Sequence, residues 1–347
     1  MTTSDLPSHD STAPRSPRLH AGGIPLALAA AVEDFKAAML AANRLVIKGS
    51  ATEAEIQDQV SRACSAVADA LRARVHSDAA GADSAGAFVF RETYPYFALS
   101  TLIDRSYVKP RGYAGDYLTL EMVYDDRPAG VHRLGRYIDQ WFLGIPASRA
   151  VKNRRGLLRD IIFDVARSNG GRRSKITSLA CGPAREVFDV LAEPGHPDID
   201  ATCVDVDNEA LAYAQGIARR TGVWNHVSFV QANVVKLALG RETLELRDQD
   251  LVYSIGLIDY LRDHLVVRLL DWIYDRLRPG GIAVVGNFDV DNPDKTFMDH
   301  VLDWKLFHRS AQDLTELFAR SKFDAVPVDV RFEDTCINLF ALARRPG

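Results

Sequence analysis

Two short segments carry residue types suited to holding a nucleoside. Ser178-Leu179-Ala180-Cys181-Gly182-Pro183-Ala184 follows an apolar run and opens a helical one, and its small side chains would let a ligand approach the backbone. Cys203-Val204-Asp205-Val206-Asp207 ends the next apolar run, where the Asp205 carboxylate can accept hydrogen bonds from both hydroxyls of a ribose. Farther along, Ala232-Asn233 supplies an amide that can donate to and accept from an adenine edge, and Ser254-Ile255-Gly256 closes a fourth apolar run. Read together and in order, Ala180, Cys181, Gly182, Asp205, Val206, Ala232, Asn233, Ser254 and Gly256 are the candidate cofactor-binding residues.

The turn at Gly182 also discriminates between cofactors. A dinucleotide pattern, GxGxxG, brings a helix N-terminus to a pyrophosphate, but Ala180 and Arg185 stand here where glycines are wanted. Pro183 removes one amide donor as well. S-adenosylmethionine has no phosphate to satisfy, so the turn favours it. Methyl transfer from a sulfonium is an in-line displacement that depends mostly on positioning, and an ionised carboxylate or a thioether needs no base to accept the methyl group.

Acceptor-side candidates follow from the same logic. Asp259 and Tyr260 come after the fourth run and Asn287 ends the fifth, which makes these three the candidate catalytic residues; Phe288, Trp304 and Arg309 are candidates for substrate binding. Arg309 could hold a carboxylate bidentately, and Asp259 could hold an ammonium group. Pro110 to Tyr117 combines glycines, tyrosines, a cation and an anion, unlike a core strand, and is expected to form a lid, with Tyr107, Arg111 and Tyr117 reaching the methionine end of the cofactor. The basic run Lys152-Asn153-Arg154-Arg155 reads as a solvated or salt-bridged helix face. His132, His264, His300 and His308 lack metal-ligand spacing, and no metal is expected.

Elements must position these residues. Short apolar runs predict strands at Ile176 to Ala180, Ala201 to Val206, Val227 to Ala232, Leu251 to Ile255, Ile282 to Asn287, Ala325 to Arg331 and Ile337 to Ala343. Helical spacing predicts Ala184 to Leu191, Glu209 to Thr221, Leu265 to Leu277 and one long helix from Lys295 to Ser321. Five strands with helical crossovers and then two close together imply an α/β, Rossmann-like, seven-stranded, mostly parallel sheet with an antiparallel hairpin at one edge. Before it, two amphipathic helices between Leu26 and Val75, a loop near His76 to Ala87 and an aromatic segment from Phe90 to Phe97 make an N-terminal helical extension. The expected boundaries are a disordered tail over 1–22, a helical cap or lid region over 23–155 and the sheet domain over 156–347.

Composition narrows the partners. A formal net charge of -4 gives no electrostatic footprint for nucleic acid, and no apolar run spans a bilayer. Four scattered cysteines without CxxC spacing suit a reducing compartment, so a cytoplasmic location is expected, with a small-molecule substrate as partner and neither nucleic acid nor membrane. The helices before His76 could serve a homodimer as readily as a lid.

The segments quoted above resemble class I S-adenosylmethionine-dependent methyltransferases, with Ser178 to Ala184, Asp205, Asn233 and Arg278-Pro279-Gly280-Gly281 matching their sequential motifs. More narrowly, Leu179 to Glu186, Gly256 to Leu261, Gly286-Asn287-Phe288 with Asn292-Pro293, Pro110 to Tyr117 and Leu302 to Arg309 resemble bacterial extracellular-factor methyltransferases of 3-hydroxypalmitic acid methyl ester biosynthesis. That narrower resemblance implies methyl transfer to the carboxylate of a small or lipid-like acid in specialised metabolism or signalling. Bacterial methionine S-methyltransferases share this style of sequence, so S-methylation of free methionine or another amino acid is the alternative. From other classes, a non-catalytic S-adenosylmethionine-binding regulatory protein and a dinucleotide-dependent oxidoreductase are the rival readings.

Overall fold

The computed structural model describes residues 24–347, so the tail expected over 1–22 lies outside the described residues. Helices come first: α1 (Leu26–Lys48), α2 (Glu53–Ser77), α3 (Ala82–Phe97), α4 (Thr101–Val108), α5 (Tyr117–Asp125), α6 (His132–Gly144) and α7 (Pro146–Ser168). Local chemistry sets several of their ends. Gly49 takes the left-handed conformation that terminates α1, with φ at 59°. A reciprocal bond between Thr52 and Glu55 starts α2, and Asp116 caps α5 by accepting from the amides of Leu118 and Thr119. Between α2 and α3 the expected loop shrinks to a single 3-10 turn, Ala79–Gly81, because the aromatic segment extends back as helix α3 to Ala82.

Strands and crossover helices then alternate: β1 (Ser174–Leu179), α8 (Arg185–Ala192), β2 (Ile199–Asp205), α9 (Asn208–Arg220), β3 (Val227–Gln231), α10 (Val234–Ala238), β4 (Gln249–Ile255), α11 (Asp263–Arg276) and β5 (Leu277–Phe288). Helices α12 (Lys295–His300) and α13 (Ala311–Ala319) precede the closing pair β6 (Val328–Phe332) and β7 (Asn338–Arg344). The sheet has seven strands in the order β3-β2-β1-β4-β5-β7-β6. Strands β1 to β5 run parallel; β7 is antiparallel to β5 and β6 antiparallel to β7, the expected edge hairpin. The chain order reverses beside β1, so the crevice above the carboxyl ends of β1 and β4 is a topological switch point, where open sheets of this kind take ligands.

The long helix expected from Lys295 to Ser321 is two short helices joined by an irregular stretch. Asp303 has a positive φ of 47°, and the stretch beyond it spends its amides on the sheet rim: Phe307 N–H donates to Asp259 O (2.7 Å) and Arg309 N–H to Phe288 O (3.0 Å). Those tertiary bonds outweigh the helical periodicity of the segment.

Three apolar clusters organise the interior. Two lie on either face of the sheet; the third joins α1 to α7 with Phe288, Phe297, Met298, Val301, Leu302, Leu306 and Ile337. Cap and sheet therefore share a core along the rim. Among the described residues no helix is long and apolar enough to cross a membrane. Gly286 on β5 is one place where packing leaves no room for a side chain, since an added Cβ would lie 2.7 Å from the Phe340 ring and 2.8 Å from Ile255 Cγ2. Gly286→Ala is expected to lower the unfolding free energy by about 1–3 kcal/mol through overpacking, measured by urea denaturation.

Candidate active site

Above the rim sits a cavity of about 340 Å³ whose lining includes Tyr113, Gly115, Tyr117, Arg154, Ala180, Gly182, Asp205, Val206, Gly256, Asp259, Tyr260, Phe288 and Trp304. Its walls come from α7, the ends of β1, β2, β4 and β5, the irregular stretch after α12, and the segment Pro110 to Tyr117, expected from sequence to form a lid and called the lid segment for its position.

At the β1 end the backbone turns through Ala180, Gly182 and Ala184, all with positive φ (53°, 52° and 50°). Two of these are alanines, a costlier choice in the left-handed region, and such strain gathers at ligand sites. Asp205 is buried and ties this turn to β2: Oδ2 accepts from Gly182 N–H (2.8 Å) and Oδ1 from Asp207 N–H (2.9 Å). Burial nevertheless holds its carboxyl above the usual range. Each oxygen keeps a lone pair for a further donor, such as a ribose hydroxyl.

Across the cavity, Asp259 and Tyr260 follow β4 in a short 3-10 turn. Asp259 is 1% exposed; its Oδ1 accepts from Phe288 N–H (2.8 Å), and burial pushes its carboxyl up to about 6. Tyr260 accepts from the Trp304 indole N–H at 2.9 Å, and burial raises its hydroxyl to about 12, so it remains protonated at neutral pH. Gly115 permits the lid to approach this pair, because a Cβ there would meet Trp304 Cζ2 and Tyr260 Oη, each at 3.1 Å.

The lid segment is pinned on both sides. Arg111 spans Asp207 and Glu209 at the start of α9, with all three contacts at 2.5 Å, while Lys109 pairs with Asp303 at 2.7 Å. Arg111 also lies over the Tyr117 ring, 5.5 Å from its centroid.

Of the residues anticipated from sequence, Tyr117, Ala180, Gly182, Asp205, Val206, Gly256, Asp259, Tyr260, Phe288 and Trp304 meet around this cavity. The others lie outside its lining. Tyr107 stacks with Phe90 and Tyr94, at 5.0 and 4.6 Å between centroids, and Arg111 is consumed by the ion pairs that pin the lid. Cys181 faces the core beneath the turn, and Ala232 is buried in the opposite cluster. Asn233 caps α10, accepting from Lys236 N–H at 3.0 Å, and the Ser254 hydroxyl donates to Leu179 O at 3.0 Å. Asn287 donates to the carbonyls of Phe288 (2.7 Å) and Phe307 (2.8 Å).

Arg309 is the largest departure from its expected place. Only 4% exposed, it donates to Ile258 O (2.9 Å), Leu261 O (2.6 Å), Asn287 Oδ1 (2.9 Å) and Asp263 Oδ1 (2.9 Å). With Nε also donating to Asp263 Oδ1 (3.2 Å), all five N–H donors are used: Arg309 braces the loop after β4 and has none left for a substrate carboxylate. Arg154, by contrast, belongs to the run read as a solvated or salt-bridged face; Lys152 and Arg155 do form ion pairs, but Arg154 is 5% exposed in the cavity wall. The signal was in the spacing: Ala147, Ala150, Val151, Leu158, Ile161, Ile162 and Val165 form the buried stripe of α7, and position 154 falls on it. Tyr113 was likewise passed over within the lid segment.

Residues 176–281 match a family described as a methyltransferase domain. Among solved structures, a Bordetella parapertussis protein described as a possible exported protein aligns with a TM-score of 0.55 at 19% identity, over 71% of this chain and 86% of its own. The apo form of the S-adenosylmethionine-dependent methyltransferase SibL aligns with a TM-score of 0.47 at 14% identity, over 92% of this chain and 96% of its own. An N-methyltransferase, NodS from Bradyrhizobium japonicum, aligns with a TM-score of 0.38 at 18% identity, over 56% of this chain and 98% of its own. No curated protein matches the sequence.

Two measurements test the site's wiring. Arg309→Met leaves two backbone carbonyls without their donors and is expected to destabilise the fold by roughly 2–5 kcal/mol, read from urea denaturation. Asp259→Asn should change the pH dependence. A carboxyl raised to about 6 in the folded state binds a proton that the unfolded chain has already released, so its contribution to stability is present below about pH 4 and lost as pH rises to about 6. The variant should lack that loss when melting temperatures are compared with wild type across the interval.

Proposed function

We infer that this chain, with its methyltransferase domain, is an S-adenosylmethionine-dependent methyltransferase and that it transfers the methyl group to the carboxylate of a small acid that carries an apolar chain. The observation that carries this reading is the apolar lining of the acceptor end. Leu120, Val151, Leu257, Phe288, Trp304 and Leu306 line it, and four of them, Leu120, Val151, Phe288 and Trp304, also border a neighbouring small void of about 20 Å³ whose walls are mostly apolar, with Leu102, Val123, Phe142, Ile145 and Met298 beside Thr119 and Ser148. Such apolar walls suit an acceptor with an apolar body better than the two charged ends of a free amino acid.

In this reading Asp205, Ala180 and Gly182 would hold the cofactor, which would supply a methyl group from its sulfonium and leave as the neutral thioether, while Asp259, Tyr260, Phe288 and Trp304 would surround the acceptor. Tyr260, protonated and oriented by the Trp304 indole, would donate to one oxygen of the acceptor carboxylate and leave the other free to receive the methyl group. A carboxylate arrives already ionised, and the aromatic walls exclude the water that would solvate it. Positioning by such a site is worth up to ~7–11 kcal/mol of the barrier. Asp205, Ala180 and Gly182 are the proposed cofactor residues; Phe288 and Trp304 are the proposed acceptor contacts. The proposed compartment is the cytoplasm, where the free thiols of Cys64, Cys181, Cys203 and Cys336 would stay reduced.

A second reading has its own observation. Asp259 puts a carboxylate on the acceptor side, where it could hold the ammonium group of an amino acid and favour S-methylation of methionine. Incubation of the protein with S-adenosylmethionine and either 3-hydroxy fatty acids of graded length or methionine, followed by mass spectrometry, separates the two. Methyl esters, with turnover rising as the chain lengthens, are expected; S-methylmethionine as the only product would replace the first reading by the second.

A further inference from the structure

Among the described residues, one charged member of the run Lys152 to Arg155 makes no ion pair: Arg154, whose neighbours include the Tyr124 hydroxyl. Lys152 pairs with Asp126 (2.8 Å), Asn153 donates to Glu333 (2.9 Å), and Arg155 holds Asp189 with two bonds of 2.5 and 2.6 Å. Arg154 is more buried than any of them, lines the cavity, and its Nε finds no hydrogen-bond partner among the described residues. Its guanidinium lies over Gly256, where an added Cβ would meet Nη2 at 3.3 Å and Nη1 at 3.4 Å.

An arginine stays charged in proteins, and a buried charge without a counter-ion is unfavourable. The acids whose charge reaches Arg154 are Asp259 and Glu186, and each is committed elsewhere: Asp259 to Phe288 N–H, and Glu186 to the Tyr253 hydroxyl at 2.8 Å. Burial holds both carboxyls above their ordinary range, which weakens them as counter-charges. The guanidinium of Arg154 therefore lines the cavity with its Nε unsatisfied and no ion pair of its own among the described residues. A carboxylate supplies the counter-charge with two parallel bonds.

Position along the rim points to the same group. Asp205 ends β2 and Gly256 follows β4, two strands away, so a ligand anchored at Asp205 must extend roughly 10 Å to come under Arg154. We propose that Arg154 is the carboxylate-binding residue of the cavity, taking either the carboxylate at the amino-acid end of the cofactor or that of the acceptor. The second source rests on the acceptor reading given above; the first does not.

Calorimetry on full-length wild type and Arg154→Met tests this with three probes: S-adenosylhomocysteine, methylthioadenosine, which keeps the nucleoside and thioether but has no carboxylate, and 3-hydroxydecanoate added to the S-adenosylhomocysteine complex. If the cofactor supplies the carboxylate, S-adenosylhomocysteine affinity falls roughly tenfold to a hundredfold while methylthioadenosine affinity holds. If the acceptor supplies it, both adenosyl probes hold and 3-hydroxydecanoate affinity falls by a similar factor. Should wild type fail to bind 3-hydroxydecanoate, the acceptor reading has failed and the two adenosyl probes alone decide. Affinities unchanged for every probe that wild type binds would overturn the proposal.

Melting temperature separates binding from a structural role. Loss of an unpaired buried charge should leave the ligand-free melting temperature unchanged or raise it, whereas a fall with ligand discrimination intact would also overturn the proposal. Arg154→Lys, which retains the charge but loses the fork, should give an intermediate loss of affinity for the same probe and serves if the methionine variant does not fold.

Discussion

Where the parallel strands stop, their hydrogen-bonding ladder runs out, and the backbone groups of the rim need other partners. In this chain a few buried side chains supply them. Asp205 takes the amides of Gly182 and Asp207, Asp259 takes that of Phe288, and Arg309 serves the carbonyls of Ile258 and Leu261. These bonds cross from one strand end to the next, so the turn after β1, the loop after β4 and the end of β5 are fixed relative to one another. The cavity is the space those fixed ends enclose.

This arrangement divides the polar residues of the rim into two kinds. Asn287, Ser254 and Arg309 satisfy backbone groups and are sealed from the cavity; Asp205 and Asp259 satisfy backbone groups and also face it. A carboxylate can do both because its two oxygens offer about four lone-pair sites, whereas the donors of a guanidinium are exhausted by four acceptors arranged around it. Role follows from how many hydrogen bonds remain after the wall is built.

The helical cap completes the enclosure from the other side. Its core continues into Phe288, Phe297 and Leu306, so it is not a loosely tethered appendage, and the lid segment between α4 and α5 is pinned to α9 by Arg111 and to the stretch after α12 by Lys109. Aromatic groups from both halves, Tyr117 and Tyr260 with Trp304, then bound the cavity. Partial removal from water shows in the two acidic groups beside it: burial raises the Asp259 carboxyl and the Tyr260 hydroxyl above their ordinary ranges.

Sequence alone determined the sheet, its edge hairpin and the strand ends that carry Gly182, Asp205, Gly256 and Asp259, because alternation of apolar runs with helical spacing is a local signal and the chain obeys it. It could not say which side chains at those ends face inward. Arg309 had the chemistry to hold a carboxylate, yet the position of two carbonyls after β4 decided that it braces a loop; Arg154 had the look of a surface cation, yet the packing of α7 on the sheet decided that it lines the cavity. The same kind of long-range bond broke the helix expected from Lys295 to Ser321 and carried Trp304 to Tyr260. Residue type and spacing fix what a side chain is able to do, but the hydrogen bonds it has left to offer depend on neighbours brought from elsewhere in the chain, and only folding supplies those.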